Sequence, residues 1–159
     1  MNYSKIILML MIILFLPAHM SHSQDTALRI DIKPEHESVK NGAEISVLTR
    51  IINISQSEQK FEVWSCSYSE SWVTDSPHLS LVAVSCKENA ITKIVLKPGR
   101  VYENKLSIRV AVPAEEILVE DVTFKLGFKP IVWSTDSQKK ENETSIIWSY
   151  PVTIKVKEK

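Results

Sequence analysis

From Leu28 onward the apolar positions recur at every second residue rather than every third or fourth, the pattern of strands that bury one face. Leu28, Ile30 and Ile32 alternate with Arg29 and Asp31 until Pro34 ends the run, and Asn41-Gly42 follows as a turn signal. Ala43 to Ile54 is a long β-branched stretch. Ile45, Val47, Thr49 and Ile51 share one face, and Leu48, Ile52 and Ile54 share the other, which predicts cover on both sides for part of it. Further strands are expected at Phe61 to Ser67, at Leu79 to Cys86 after the Asp75-Ser76-Pro77 breaker, and at Ile91 to Leu96. Pro98-Gly99 suits the central positions of a type II turn. Tyr102 to Val112 follows, then Val122, Phe124, Leu126 and Phe128 in strict alternation. Trp148, Tyr150, Val152, Ile154 and Val156 form the last run in phase. One helical turn is expected at Ala114 to Val119, with Pro113 at its start.

About seven or eight short strands in a domain of this size predict an all-β fold, a single antiparallel β-sandwich. A closed barrel is the alternative. Barrel corners often use glycine, and the chain has 3 glycines, so its turns rely on Asn, Asp, Ser and Pro.

Two short motifs refine the expectation. Asn53-Ile54-Ser55 closes one strand before a polar loop, and Leu96-Lys97-Pro98-Gly99 forms a turn before another. This pattern resembles bacterial immunoglobulin-like domains over about half of the chain beyond residue 23. The resemblance implies an immunoglobulin-like fold and nothing about activity. Trp72 lies between Cys66 and Cys86, but that cysteine separation is far too short for the inter-sheet bridge of antibody domains.

The amino-terminal residues depart from this pattern. Lys5 precedes an unbroken apolar run from Ile6 to Leu16, Pro17 ends it, and Ser21 and Ser23 occupy the −3 and −1 positions of a signal-peptidase site. The run is about 11 residues, short of the ~20 needed to span a bilayer. Residues 1–23 are therefore expected to be a cleaved signal peptide and 24–159 the β-sandwich domain; an uncleaved anchor is the alternative. Export would end in the periplasm or outside the cell, with no stable membrane span after cleavage.

Composition narrows the function classes. The 159-residue chain has net charge +0, and losing Lys5 with the leader makes it about −1. No basic excess points to nucleic acid or an anionic membrane surface. All 4 methionines precede residue 23, and only His36 and His78 remain among histidines beyond it, so neither copper carriage nor any other metal or cofactor role is expected. Cys66 and Cys86, an even pair in an exported chain, predict a disulfide. The alternative is two buried thiols.

Catalytic signatures are absent from the sequence. No Gly-x-Ser-x-Gly elbow surrounds a serine, and only His36 and His78 are available as a base. Glu115-Glu116 and Glu120-Asp121 read as solvated acids rather than a glycosidase pair. No phosphate loop or zinc-protease motif occurs. The chain is expected to be a non-catalytic binding or interaction module for a protein or glycan ligand in the extracytoplasmic space. The alternatives are a proteinase inhibitor, which would present the 67–85 segment as a rigid loop, and a structural subunit that donates or accepts an edge strand.

The densest candidate site is Trp64 to Trp72. Tyr68 and Trp72 are expected to be exposed and to grip the ligand, with Glu70 hydrogen-bonding it. The competing reading buries Trp64 beside the disulfide and leaves the serines solvated. A second aromatic pair, Trp133 and Trp148, brackets a polar loop from Ser134 to Ser145 and could face across a hairpin. Two glycosylation sequons, at Asn53 and Asn142, matter only in a eukaryotic secretory pathway.

Overall fold

The computed structural model describes residues 27–113, 121–131 and 146–157. The expected helical turn at 114–119, the acids at 115–120, Trp133 and the 134–145 loop with Asn142 lie outside the described residues, as does the expected signal peptide over 1–23.

Twelve strand segments are present among the described residues: β1 (Leu28–Pro34), β2 (Ser38–Lys40), β3 (Glu44–Asn53), β4 (Gln59–Trp64), β5 (Trp72–Thr74), β6 (Leu79–Leu81), β7 (Ile91–Leu96), β8 (Val101–Val110), β9 (Asp121–Phe124), β10 (Leu126–Phe128), β11 (Ile147–Trp148) and β12 (Val152–Lys157). Each run read from the alternation contains a strand. The higher count arises because two runs are split, β9 from β10 and β11 from β12, and because β2 and β5 are too short to show a period.

One layer is the antiparallel sheet β1-β3-β8-β6. The other is built of shorter ribbons: β9 pairs with β12, β10 with β11 and with β5, and β4 with β7. The backbone N–H of Ile131 donates to Glu62 O at 3.0 Å, linking β4 to the extension of β10. β1 and β2 belong to opposite layers. Glu35 still donates to Ser46 O in β3, whereas Glu37 O already accepts from Lys155, and β2 runs parallel to β12. The chain therefore changes sheets at His36, just past Pro34. A first strand that switches layers in this way, within an antiparallel sandwich, defines an immunoglobulin-like arrangement.

The core lies between the layers. Ile45, Val47, Thr49 and Ile51 of β3 are buried as one face, against Phe61 and Val63 of β4 and Val122, Phe124, Leu126 and Phe128 of β9 and β10. Cover on the second face of β3 is partial: Leu48 and Ile52 are half-buried and Ile54 is exposed. Phe61 stacks edge-on to Tyr102 and to Phe128 with centroids 5.9 and 5.2 Å apart, and Phe128 meets Trp72 at 5.2 Å. Such contacts add modestly to the burial of the rings.

Asn53-Ile54-Ser55 and Leu96-Lys97-Pro98-Gly99 form one unit. Asn53 is fully buried, and its Nδ2 donates to Leu96 O and Ser57 O, each at 2.8 Å. Its backbone carbonyl accepts from Gly99 N–H at 2.9 Å, and Arg100 N–H closes the turn onto Lys97 O at 3.0 Å. Gly99 has φ 73°, the left-handed value that the type II turn requires of its third residue.

The strand expected over Leu79 to Cys86 stops at Leu81. Val82 still donates to Ser107 O at 2.9 Å, but the chain then leaves β8 and reaches the disulfide, so Val84 is exposed.

Candidate functional site

Cys66 and Cys86 are disulfide-bonded, with Cα atoms 6.1 Å apart. Asn89 secures the same corner: its Oδ1 accepts from the backbone N–H of Cys66 and Ser67, and its Nδ2 donates to Ser67 Oγ. A 3₁₀ turn at Tyr68–Ser71 then leads into β5. Glu70 is exposed and Tyr68 is half-buried against the core. Trp72 is 5% exposed, in register with Phe128 and packed on its ring.

The expectation of an exposed Tyr68–Trp72 pair is therefore corrected. Trp72 is a core residue because β5 turns it inward opposite Phe128. Trp64 is half-buried on the outer face, opposite Ile91. The alternation contained that result: Phe61 and Val63 define the inward phase of β4, which puts Trp64 out of phase. Ser67, Ser69 and Ser71 are buried, with Trp72 and Leu79 in the core, so much of the 67–85 segment packs into the domain.

A different surface collects the exposed aromatics. Among the described residues 8 large hydrophobic side chains are exposed, and Ile54, Ile146, Trp148 and Tyr150 line one groove with Leu28 and Ile30. The groove has a volume of about 330 Å³ and lies where β1, an edge of one sheet, meets β11, an edge of the other. It exists because β1 changes layers only at its end. The later residues join β12 through β2, whereas Leu28 and Ile30, both buried, stay with β3 and lie beside β11 without pairing with it among the described residues.

A β-bulge directs the aromatics outward. Trp148 opposes Gly127, but Val152 opposes Phe124, so the β11–β12 run carries one residue more than its partner between these pairs. Ser149 holds the bulge: its N–H donates to Leu126 O at 2.9 Å, and its Oγ accepts from Leu126 N–H at 3.1 Å. Pro151 has no N–H to donate. The extra residue reverses the phase, so Ile147 and Ser149 are buried before the bulge and Ile154 and Val156 after it. Trp148 and Tyr150, expected in phase with the core, are instead 40% and 74% exposed.

Gly127 gives Trp148 its seat. A Cβ built there would lie 3.0 Å from Trp148 Cε3 and 2.9 Å from Val73 Cγ2, and would overlap Ile146. Only bare backbone lets Ile146 and the indole lie down on the sheet. Lys125 Nζ stands 5.7 Å from the indole centroid and is also ion-paired with Asp75. The ring is thus held from below and beside, a preformed apolar platform.

Neither histidine lies at this groove. His36 is exposed at the sheet crossover, and the His78 carbonyl accepts from Ala111 N–H at 2.8 Å. No helix among the described residues is long and apolar enough to cross a membrane.

No family model matches the chain, and no curated protein matches it in sequence. Among solved structures it is similar to native alpha-2-macroglobulin from Escherichia coli in the part running from domain MG7 to the C-terminus, with 13% identity, TM-score 0.47, and cover of 82% of this chain and 16% of that one. The native conformation of the same E. coli protein gives 13% identity and TM-score 0.48, covering 83% of this chain and 7% of the other. A FixG-related protein from Vibrio parahaemolyticus gives 10% identity and TM-score 0.43, covering 82% of this chain and 97% of that one. The immunoglobulin-like class stands on the strand order and the sheet switch described above.

Proposed function

We propose that the chain is a non-catalytic interaction module of the extracytoplasmic space that engages a protein partner through the β1–β11 flank. The observation that carries this reading is the convergence of Ile54, Ile146, Trp148 and Tyr150 on one groove beside a sheet edge. Trp and Tyr combine a large apolar face with a polar tip, and contiguous exposed apolar surface marks interaction sites. A bulge at a sheet edge that re-aims side chains is a recurrent feature of functional sites. The disulfide and the leader-like residues 1–23 support an oxidising compartment.

The test is a photo-cross-linking amino acid at position 150, compared with one at exposed Glu103 on β8, in the compartment where the protein accumulates. A discrete adduct from position 150, competed by unlabelled protein and lost in Trp148→Ser, is expected. Equal adducts from both positions would reject the flank as the binding surface.

A further inference from the structure

Between β6 and β7 the chain forms an exposed loop around the second cysteine. Residues 83–85 and 87–90 are exposed, and Cys86 between them is half-buried. The loop is fixed at both ends. Val82 N–H donates to Ser107 O at 2.9 Å, and Ala90 is bonded twice to Ser65, its N–H to Ser65 Oγ at 3.1 Å and its carbonyl to Ser65 N–H at 2.8 Å. Among the described residues the main chain of 83–89 makes no hydrogen bond, so its N–H and C=O groups are free to pair with a cleft that receives extended chain.

Within this loop Lys87 and Glu88 lie between two fixed points. Cys86, directly before them, is bonded to Cys66. Asn89, directly after them, accepts through Oδ1 from the N–H of Cys66 and of Ser67, each at 3.3 Å, and donates through Nδ2 to Ser67 Oγ. Both anchors therefore hold the same two residues, and Ser67 is buried. An exposed loop tip is ordinarily a site of proteolytic nicking. One bracketed in this way loses little conformational freedom when an enzyme takes hold of it, which favours tight binding.

We propose that the 83–90 loop is a substrate-like inhibitor of serine proteinases whose primary specificity pocket is acidic, with Lys87 as the residue that enters the pocket. This activity is separate from the β1–β11 flank. The lysine ammonium complements a carboxylate at the base of such a pocket, and Val84 to Cys86 supply main chain to the cleft beside it. When the enzyme's serine attacks the Lys87 carbonyl, the C–N bond to Glu88 breaks, and the proton from the serine hydroxyl passes through the enzyme's histidine to the departing Glu88 nitrogen. In an ordinary substrate that amine diffuses away and water hydrolyses the ester. Here the Lys87 side stays tethered through Cys86, and the Glu88 side through Asn89 and Ala90, to one corner of the domain. The held amine attacks the acyl carbon again, re-forms the peptide bond and returns the proton to the serine, outcompeting water by its effective molarity. The complex persists instead of turning over.

The test is inhibition of trypsin by the purified, disulfide-bonded protein, read with a chromogenic peptide. Wild type is expected to inhibit competitively at roughly micromolar concentration or below, with slow cleavage confined to the 87–88 bond. Lys87→Ala should weaken inhibition about thirtyfold or more. Lys87→Phe should lose trypsin and gain chymotrypsin, whose pocket is hydrophobic. Lys87 is exposed, so both variants should fold, as circular dichroism and melting temperature will confirm. Asn89→Ala keeps Lys87 but frees the Glu88 side, and should be cleaved faster and inhibit more weakly. Lys97→Ala, at the exposed Pro98-Gly99 turn, should inhibit as wild type does. A wild type that leaves trypsin active at submillimolar concentration, or that is cleaved and released as a simple substrate, would overturn the inference. So would a Lys87→Ala variant as potent as wild type, or a folded Lys87→Phe that spares chymotrypsin. The flank is read separately, by cross-linking at position 150, so either reading can fail alone.

Discussion

The side-chain amide of Asn53 donates to the carbonyl of Leu96 at 2.8 Å in the interior, tying the end of β3 to the end of β7 across 43 residues of sequence. The same amide nitrogen bonds Ser57 O, and the amide oxygen accepts from the N–H and hydroxyl of Ser55. The sequon at this position is thus a structural device: the nitrogen that would carry a glycan is occupied inside the protein.

Asn53→Ala should cost roughly 2–4 kcal/mol, because it removes the side-chain bonds to Leu96 O and Ser57 O together with the two that Ser55 donates to the amide oxygen, and so frees the polar loop. Asn53→Asp should cost at least as much, since a carboxylate would face two carbonyl oxygens. Urea unfolding of the two variants measures both, and a wild-type midpoint for either would refute the role.

Ser149→Ala removes the acceptor of the buried Leu126 N–H and should destabilise the domain by about 1–3 kcal/mol. The bulge depends on that bond, so amide exchange should accelerate at Leu126 more than at Ile154. Uniform acceleration would show that Ser149 has no local role.

Gly127→Ala should displace the indole of Trp148 from its seat, at a cost of about 1–3 kcal/mol from overpacking. Near-ultraviolet circular dichroism should change and acrylamide quenching should increase. An unaltered Trp148 signal would mean that the ring does not rest on Gly127.

The tryptophans should separate by accessibility. Trp148→Phe is expected to remove a readily quenched fraction of the fluorescence, whereas Trp72→Phe leaves it intact. Trp72→Ala should cost about 3–5 kcal/mol by opening a cavity beside Phe128. The reverse quenching pattern would restore Trp72 to the surface.

Period-two alternation determined the all-β class, the inward face of β3 and most strand positions, because a strand buried on one side must repeat every two residues. It also held the disulfide, as the single cysteine pair of the chain, and the glycine of the Pro98-Gly99 turn, whose left-handed φ few other residues tolerate. Alternation is blind to a change of phase. Trp148 and Tyr150 read as core because Val152, Ile154 and Val156 follow at the same parity; only the pairing with Leu126 and Phe124 reveals the extra residue that turns them outward. Trp72 read as surface because β5 is 3 residues long, too short to declare a face without Phe128 beside it. The groove was likewise hidden, since residues far apart in sequence meet there only once β1 has chosen its layer. The chain by itself specified which residues alternate; the tertiary structure decided where the alternation slips, and there the candidate surface lies.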